Sequence, residues 1–554
     1  MDQFTLTLGP LEQPYKETQA ALARLHFTSS LWKRDVQMWT TEAEVQRKIA
    51  NRLGWLGALD FVVPHLDRVR AAVSAARAEG LTDVVLLGMG GSSLAPEVMR
   101  QVIGVAPGFP QFRMLDSVDP DAVDATLADL RHTLFVFASK SGGTIEPNAM
   151  AAEAARRLEG AGISPWTSRF IAVTDQNTAL HTRAVAEGFR EVFVNPSDIG
   201  GRYSALSLFG VVPAALMGID VDTFLARARE MADACRADGA GNPGTALGAF
   251  VAAAALNGRD KLTLLLPARL ASLGLWIEQL VAESTGKQGV GVVPIAGEAA
   301  DVELGDDRAV VIVHLGTDAP DGRLVEQAKK KGLPCVEIHV PDVLSLGAEF
   351  FRWEVATATA GRLLSVNPFD EPNVQQAKDA TKVLLDAFAA NGALPEVRSD
   401  AVVNGATLTF SNAARQSGDP QRFLDLAGAG DYVSVMAFLP PEDETLGPAL
   451  DALRHAVGRR TGCATMFGYG PRYLHSTGQL HKGGANNGVF IVVTAPPRID
   501  FAVPGSGYSF GTLERAQAIG DFNSLEHTGR RAVLVQLPSR TPDAIASLTK
   551  SLVG

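Results

Sequence analysis

The sequence predicts an α/β protein with two doubly wound parallel-sheet domains and a third, smaller α/β unit at the C-terminus. Three observations carry that expectation. Apolar runs of strand length alternate with helix-compatible segments from about residue 60 onward, the pattern that right-handed crossovers turn into a parallel sheet with helices on both faces. Two of these runs, 84–87 and 134–138, lead directly into loops dense in glycine and hydroxyl residues. A chain of 554 residues with 46% hydrophobic residues has the length for several domains and the apolar content for packed cores.

In chain order, residues 1–60 read as a helical, amphipathic arm with Glu42, Glu44, Arg47 and Lys48 facing solvent. The first domain, 61–225, has strands at 84–87, 112–115, 134–138, 169–173 and 192–194, with helices at 94–103 and 149–158. Its apolar stretch 206–219 reads as a buried helix, too short and too interrupted by Gly210, Pro213 and Gly218 to span a bilayer. The second domain, 226–390, repeats the plan with strands at 261–266, 309–314 and 335–340 and helices at 274–283 and 349–364. Asn391-Gly392-Ala393-Leu394-Pro395 reads as a linker. Beyond it, 396–554 forms a third unit with strands near 432–438, 464–468, 488–494 and 531–536.

Composition narrows the classes of function. A net charge of −11 argues against a nucleic-acid surface, and an anionic ligand would need local cations to overcome the global field. Cys235, Cys335 and Cys463 are odd in number and widely spaced, so they read as buried small hydrophobes in a reducing compartment, not as a disulfide framework or zinc site. Met1-Asp2-Gln3-Phe4 lacks the basic and apolar regions of a secretory signal, and the expected location is cytoplasmic.

The first Gly loop is Gly88-Met89-Gly90-Gly91-Ser92-Ser93 and the second is Ser139-Lys140-Ser141-Gly142-Gly143-Thr144. A strand, a Gly/Ser/Thr turn and a helix N-terminus bind phosphate, because glycine lets the backbone approach and the free N–H groups and helix dipole favour an anion. Gly91, Ser92, Ser139, Ser141 and Thr144 are the candidate contacts. Lys140 offers its backbone N–H or lies in solvent. Glu146 is either a dipole partner at the helix start or a polar contact to substrate. Gly88-x-Gly90-x-x-Ser93 also approaches the dinucleotide fingerprint, with Asp116 where a ribose-binding acid would sit. That alternative puts Ser93 where close helix packing wants Gly or Ala, and leaves the hydroxyls of the second loop without a role. Phosphate binding is therefore preferred.

Three further segments carry chemistry. Gly200-Gly201-Arg202 places an arginine at a helix start, where the dipole disfavours a cation, so it answers either to a bound anion or to a buried carboxylate. Gln279 and Glu283, four apart, share a helix face. Gly286 ends that helix, which leaves Glu283 in its last turn with raised proton affinity, as suits a general base. The alternative for Glu283 is an ordinary bridge to Lys287, while Glu278 points elsewhere and is expected in solvent. In 474–484, His475, His481 and Lys482 crowd among glycines in what reads as an exposed functional loop. Proton transfer fits these histidines better than metal binding, since no HExxH or cysteine partner accompanies them.

Taken together, these motifs resemble the glucose-6-phosphate isomerase family, which is built from two sugar-isomerase (SIS) domains. The resemblance runs in order through 88–93, 139–146, 200–204 and 279–287, and continues at Val366-Asn367-Pro368-Phe369-Asp370-Glu371-Pro372. Segment 474–484 looks most like the isomerase half of bifunctional transaldolase/glucose-6-phosphate isomerases. The transaldolase barrel needs about 250 residues ahead of the first SIS domain, so no aldolase activity is expected. The resemblance implies a hexose 6-phosphate substrate, clamped by Gly91, Ser92, Ser139, Ser141 and Thr144. It implies Glu283 as the base between C1 and C2, Arg202 stabilising a cis-enediolate, and Gln279 orienting substrate. No metal or organic cofactor, nucleic acid or membrane partner is implied; a homodimer and a monomer both stay open. The family usually carries a ring-opening His near the last strand of its second domain, where this chain has Lys329-Lys330-Lys331-Gly332. Ring opening is therefore expected from His481, with His475 second, and Lys482 matches the family's C-terminal active-site lysine. The third unit would then supply in cis what other members take from a partner. Wider specificity that includes mannose 6-phosphate, and a non-catalytic sugar-phosphate sensor, are the rival readings.

Overall fold

A computed structural model describes residues 4–239, 241–416 and 420–554. The chain starts in a short strand, β1 (Phe4–Thr7), and several short helices then lead to the first sheet. That sheet comprises β2 (Asp83–Leu87), β3 (Gln111–Leu115), β4 (Thr133–Ala138), β5 (Phe170–Asp175) and β6 (Glu191–Asn195). All its pairings are parallel, in the order β3-β2-β4-β5-β6. β4 and β5 are buried along their whole length, which is why they read as unbroken apolar runs. Alternation across the pleat sends Val84 and Leu86 into one core and Val85, Leu87, Phe135 and Phe137 into another. The second core also holds Tyr432 and Phe490 of the C-terminal unit, so the first sheet is packed between its two neighbours.

The second sheet contains β7 (Lys261–Leu265), β8 (Val293–Ala296), β9 (Arg308–Leu315) and β10 (Cys335–Val340), in the order β1-β10-β9-β7-β8. β1 lies antiparallel on β10, with Phe4 opposite Ile338. The N-terminal arm is thus not wholly helical: the alternating Phe-Thr-Leu-Thr segment suits a strand and covers an edge that would otherwise expose unpaired backbone groups. The helices Pro243–Leu256 and Leu346–Leu363 are almost wholly buried beside this sheet. The 206–219 stretch contains the fully buried helix Leu208–Leu216.

The third sheet has six strands, β11 (Ala401–Val403), β12 (Ala406–Phe410), β13 (Tyr432–Phe438), β14 (Ala464–Tyr469), β15 (Gly488–Thr494) and β16 (Arg531–Gln536), in the order β11-β12-β16-β15-β13-β14. β13 to β16 are parallel, while β11 and β12 form an antiparallel hairpin on the edge. The hairpin turns at Asn404-Gly405, both with positive φ, the Asn-Gly signal of a tight two-residue turn. The helix Pro372–Asn391 ends at Gly392 in the left-handed conformation. It packs along the helix Phe510–His527 of the third unit, close enough that Thr381 N lies 3.1 Å from where a Cβ on Gly520 would sit. The three cysteines are buried and unpaired, and among the described residues no helix is long and apolar enough to cross a membrane.

Candidate active site

The ends of β2 and β4 open into a cavity of about 450 Å³, the position where open α/β sheets receive ligands. The first Gly loop forms one wall through Gly91 and Ser92, and the second forms another through Ser139, Lys140, Ser141 and Thr144. Gly201 and Arg202 close a third side, with Gln279 and Glu283 beside them. Backbone contact holds the loops together. A Cβ on Gly91 would lie 2.1 Å from the Gly201 carbonyl oxygen, and Ser204 Oγ donates to the Gly91 carbonyl at 3.1 Å.

The hydroxyls are left free to donate. Ser139 Oγ accepts from Gly142 N at 3.1 Å, and Ser141 Oγ accepts from Gly143 N at 3.3 Å. Accepting uses lone pairs and leaves both O–H groups for an anion. Thr144 precedes the helix Ile145–Gly160 without making a side-chain cap bond, so its hydroxyl is not spent on ordinary capping. Lys140 is not simply in solvent: its ammonium pairs with Asp175 and donates to the Ser197 carbonyl at 2.9 Å. Burial pushes the Asp175 carboxyl up to about 6 even so. Arg52 and Lys378 also line the cavity. Neither stands in a glycine-rich motif, and the sequence reading missed both.

Arg202 and Glu283 form a buried ion pair, Nη1 to Oε1 at 3.0 Å. The guanidinium is not free. Nη1 also reaches Glu371 at 3.0 Å, Nη2 donates to the Pro368 and Asp370 carbonyls at 2.8 Å each, and Nε donates to Ser284 Oγ at 2.8 Å. Of the two sequence alternatives, the structure shows the carboxylate one: Arg202 is a cation at the cavity wall, held by the buried Glu283 and the partly exposed Glu371. Burial raises the Glu283 carboxyl above its ordinary value, with Arg202 opposing and Glu371 reinforcing. The alternative bridge to Lys287 does not form. Lys287 Nζ turns to Asp370 Oδ1 at 2.8 Å and the Asn367 carbonyl at 2.7 Å. Gln279 Nε2 donates to Glu283 Oε2 at 3.2 Å and to the His475 carbonyl at 2.8 Å. Glu278, expected in solvent, is instead buried near Arg454, and burial lifts its carboxyl to about 7.

His475 lines the cavity, and its Nε2 lies 2.9 Å from Glu146 Oε1. Glu146 also accepts from Gln517 Nε2 at 2.7 Å. Burial alone would raise this carboxyl, but the charge and hydrogen bond of His475 outweigh it and hold it low. Glu146 thus stands behind His475 and aligns it. His481 and Lys482 require a correction, because the structure places neither at the cavity. On the helix Gly478–Gly483 both turn inward. His481 is 1% exposed among Tyr432, Tyr473 and Phe490, and neither ring nitrogen has a hydrogen-bond partner among the described residues. Burial, with Lys482 and Arg530 nearby, pushes its imidazole well below the ordinary value, so it stays neutral. Lys482 Nζ pairs with Asp521 at 2.5 Å, and Asp521 also accepts from Tyr473 OH at 2.6 Å. Asp116 is equally committed. Arg472 grips it through two bonds of 2.6 and 2.8 Å, so Asp116 is not free for a ribose.

Comparison with known proteins gives the family. A family model described as phosphoglucose isomerase matches residues 63–318. A glucose-6-phosphate isomerase of Parasynechococcus marenigrum (strain WH8102) is 30% identical over 460 residues, covering 75% of this chain and 79% of that protein. A crystal structure of a hypothetical protein from Thermus thermophilus is similar with TM-score 0.57 and 25% identity, over 69% of this chain and 99% of that one. A crystal structure of a glucose-6-phosphate isomerase from Chlamydia trachomatis gives TM-score 0.55 over 70% of this chain and 89% of that one. At 17% identity, that second likeness concerns the fold alone.

Proposed function

The chain belongs to the phosphoglucose isomerase family and interconverts glucose 6-phosphate and fructose 6-phosphate, and we propose that it does so by ring opening followed by carboxylate-mediated proton transfer. One observation carries this reading: the buried Glu283–Arg202 pair, 3.0 Å apart, shares a cavity with a loop of unspent hydroxyls. The phosphate docks on Ser139, Ser141 and Thr144, with Ser92 and the amides of the Gly91 loop beside it. His475, aligned by Glu146, takes the proton from the sugar's O1 hydroxyl and returns one to the ring oxygen, and the ring opens. Lys378, at the cavity, takes the place that the resemblance gives to Lys482.

Glu283 then removes the proton from C2 of the open aldose. The C–H electron pair becomes the C1–C2 double bond, and the carbonyl electrons move to O1 as an enediolate. Arg202 stabilises that charge from a fixed position, where preorganisation matters most. A proton passes from O2 to O1, and Glu283 returns its proton to C1 to give the ketose. Gln279 orients the carboxylate through Nε2, and the raised proton affinity of a buried Glu283 suits a base that must also give the proton back. No step calls for a cofactor, and every named group comes from a single chain. The test is Glu283→Gln. A fall in kcat of about 10²–10⁴-fold with little change in KM is expected, whereas turnover within a few-fold of wild type removes Glu283 as the base.

A further inference from the structure

We propose a divalent-metal site formed by His314, Glu337 and His339, on the second sheet and outside the cleft. β9 and β10 run parallel in a register that sets His314 directly beside His339, and Glu337, two residues before His339, faces the same side. The preceding residues on that face are apolar. Val310, Ile312 and Cys335 share a small core with Leu324 and Ala328 of the helix Gly322–Lys330. Three residues with metal-binding side chains thus cluster where an apolar face ends.

Their geometry is close to that of a bound ion. The imidazole rings stack with centroids 4.4 Å apart and 7° between planes. His314 Nε2 is buried without a hydrogen-bond partner and lies 3.7 Å from Glu337 Oε2. One donor atom from each residue falls within 4.8 Å of the other two. Tetrahedral zinc, with bonds of about 2.0–2.1 Å, spaces its donors about 3.4 Å apart. The His314–Glu337 separation is already near that value, and His339 would have to turn its ring to complete the set. Lys329 Nζ holds the other carboxylate oxygen, Oε1, at 2.8 Å, which leaves Oε2 turned toward the histidines.

Two imidazoles and one carboxylate select a borderline cation such as Zn²⁺ over Mg²⁺ or Ca²⁺, which favour oxygen ligands throughout, and leave a position for water. None of the three lines the cleft, so the ion would tie β9 to β10 and take no part in the isomerisation. The rival account is a stacked histidine pair beside a Lys–Glu bridge that binds nothing.

Tag-free, EDTA-stripped enzyme titrated with Co²⁺ and then Zn²⁺ separates the two. We expect one equivalent of Co²⁺ to give a saturable visible ligand-field spectrum that Zn²⁺ displaces. The His314→Ala/His339→Ala double variant should lose that spectrum while its isomerase kcat/KM stays within about two-fold. Glu337→Gln, checked for folding by circular dichroism, should bind Co²⁺ at least tenfold more weakly. Absence of saturable one-equivalent binding to wild type, or binding unchanged in the double variant, overturns the proposal.

Discussion

Replacing Gly91 by alanine probes how finely the two glycine loops must be set against each other. The new Cβ would sit 2.1 Å from the Gly201 oxygen, 2.2 Å from its carbonyl carbon and 2.8 Å from Arg202 N, all backbone atoms with no side chain to swing aside. An ordinary contact begins near 3.4 Å, so going from 2.1 to 3.4 Å parts the loops by about 1.3 Å. Overpacking of this kind costs about 1–3 kcal/mol. The functional cost is the larger one, because a misplacement of about 1 Å at a reacting centre lowers rate by about 10²-fold. Here the displaced segment carries Arg202 itself. Steady-state isomerisation of fructose 6-phosphate, read beside urea unfolding, measures both effects. Gly160→Ala is the control: its Cβ meets nothing within 4 Å, and kcat/KM and stability should hold. If Gly91→Ala keeps kcat/KM within about three-fold at unchanged stability, the close-contact argument is wrong.

Glu278 supplies a pH-dependent prediction. Below pH 4.5 the folded and unfolded chains both hold its proton; the unfolded chain releases it near 4.5 and the folded chain only near 7. Stability should therefore fall as pH rises through this interval, by roughly 3 kcal/mol relative to Glu278→Gln. Parallel unfolding curves for the two proteins at pH 5 and pH 8 would contradict it. Lys482→Met leaves the buried Asp521 without its cation, and should lose about 3–5 kcal/mol of stability while folded enzyme keeps kcat within a few-fold. Lys378→Met should reverse the pattern, lowering kcat/KM at unchanged urea midpoint.

Much of the cavity was legible because its chemistry is local. Gly, Ser and Thr directly after a buried strand mark a cavity-lining loop in a few consecutive residues, and Gln279 and Glu283 share a face by helical spacing alone. The errors lie where tertiary packing decides orientation. His475 and His481 are six residues apart and equally suitable as acids, yet only the fold turns one to the cavity and the other among aromatic rings. Glu278 has the polarity of a surface residue and is buried because its helix, Leu273–Thr285, is packed on every side. Lys378 sits alone on an ordinary helix, and nothing nearby in sequence marks it. β1 found its partner more than 300 residues away, a pairing no local pattern encodes.

In the proposed mechanism a proton, held by Glu283, moves between adjacent carbons. Turnover of glucose 6-phosphate deuterated at C2 in ordinary water tests it most directly, since a carboxyl proton has time to exchange with solvent. Fructose 6-phosphate should form with part of its deuterium lost, and Glu283→Gln should release none. Complete retention of label over many turnovers of wild-type enzyme, matched by the same retention in Glu283→Gln at undiminished rate, would mean that hydrogen migrates between the carbons without the carboxylate.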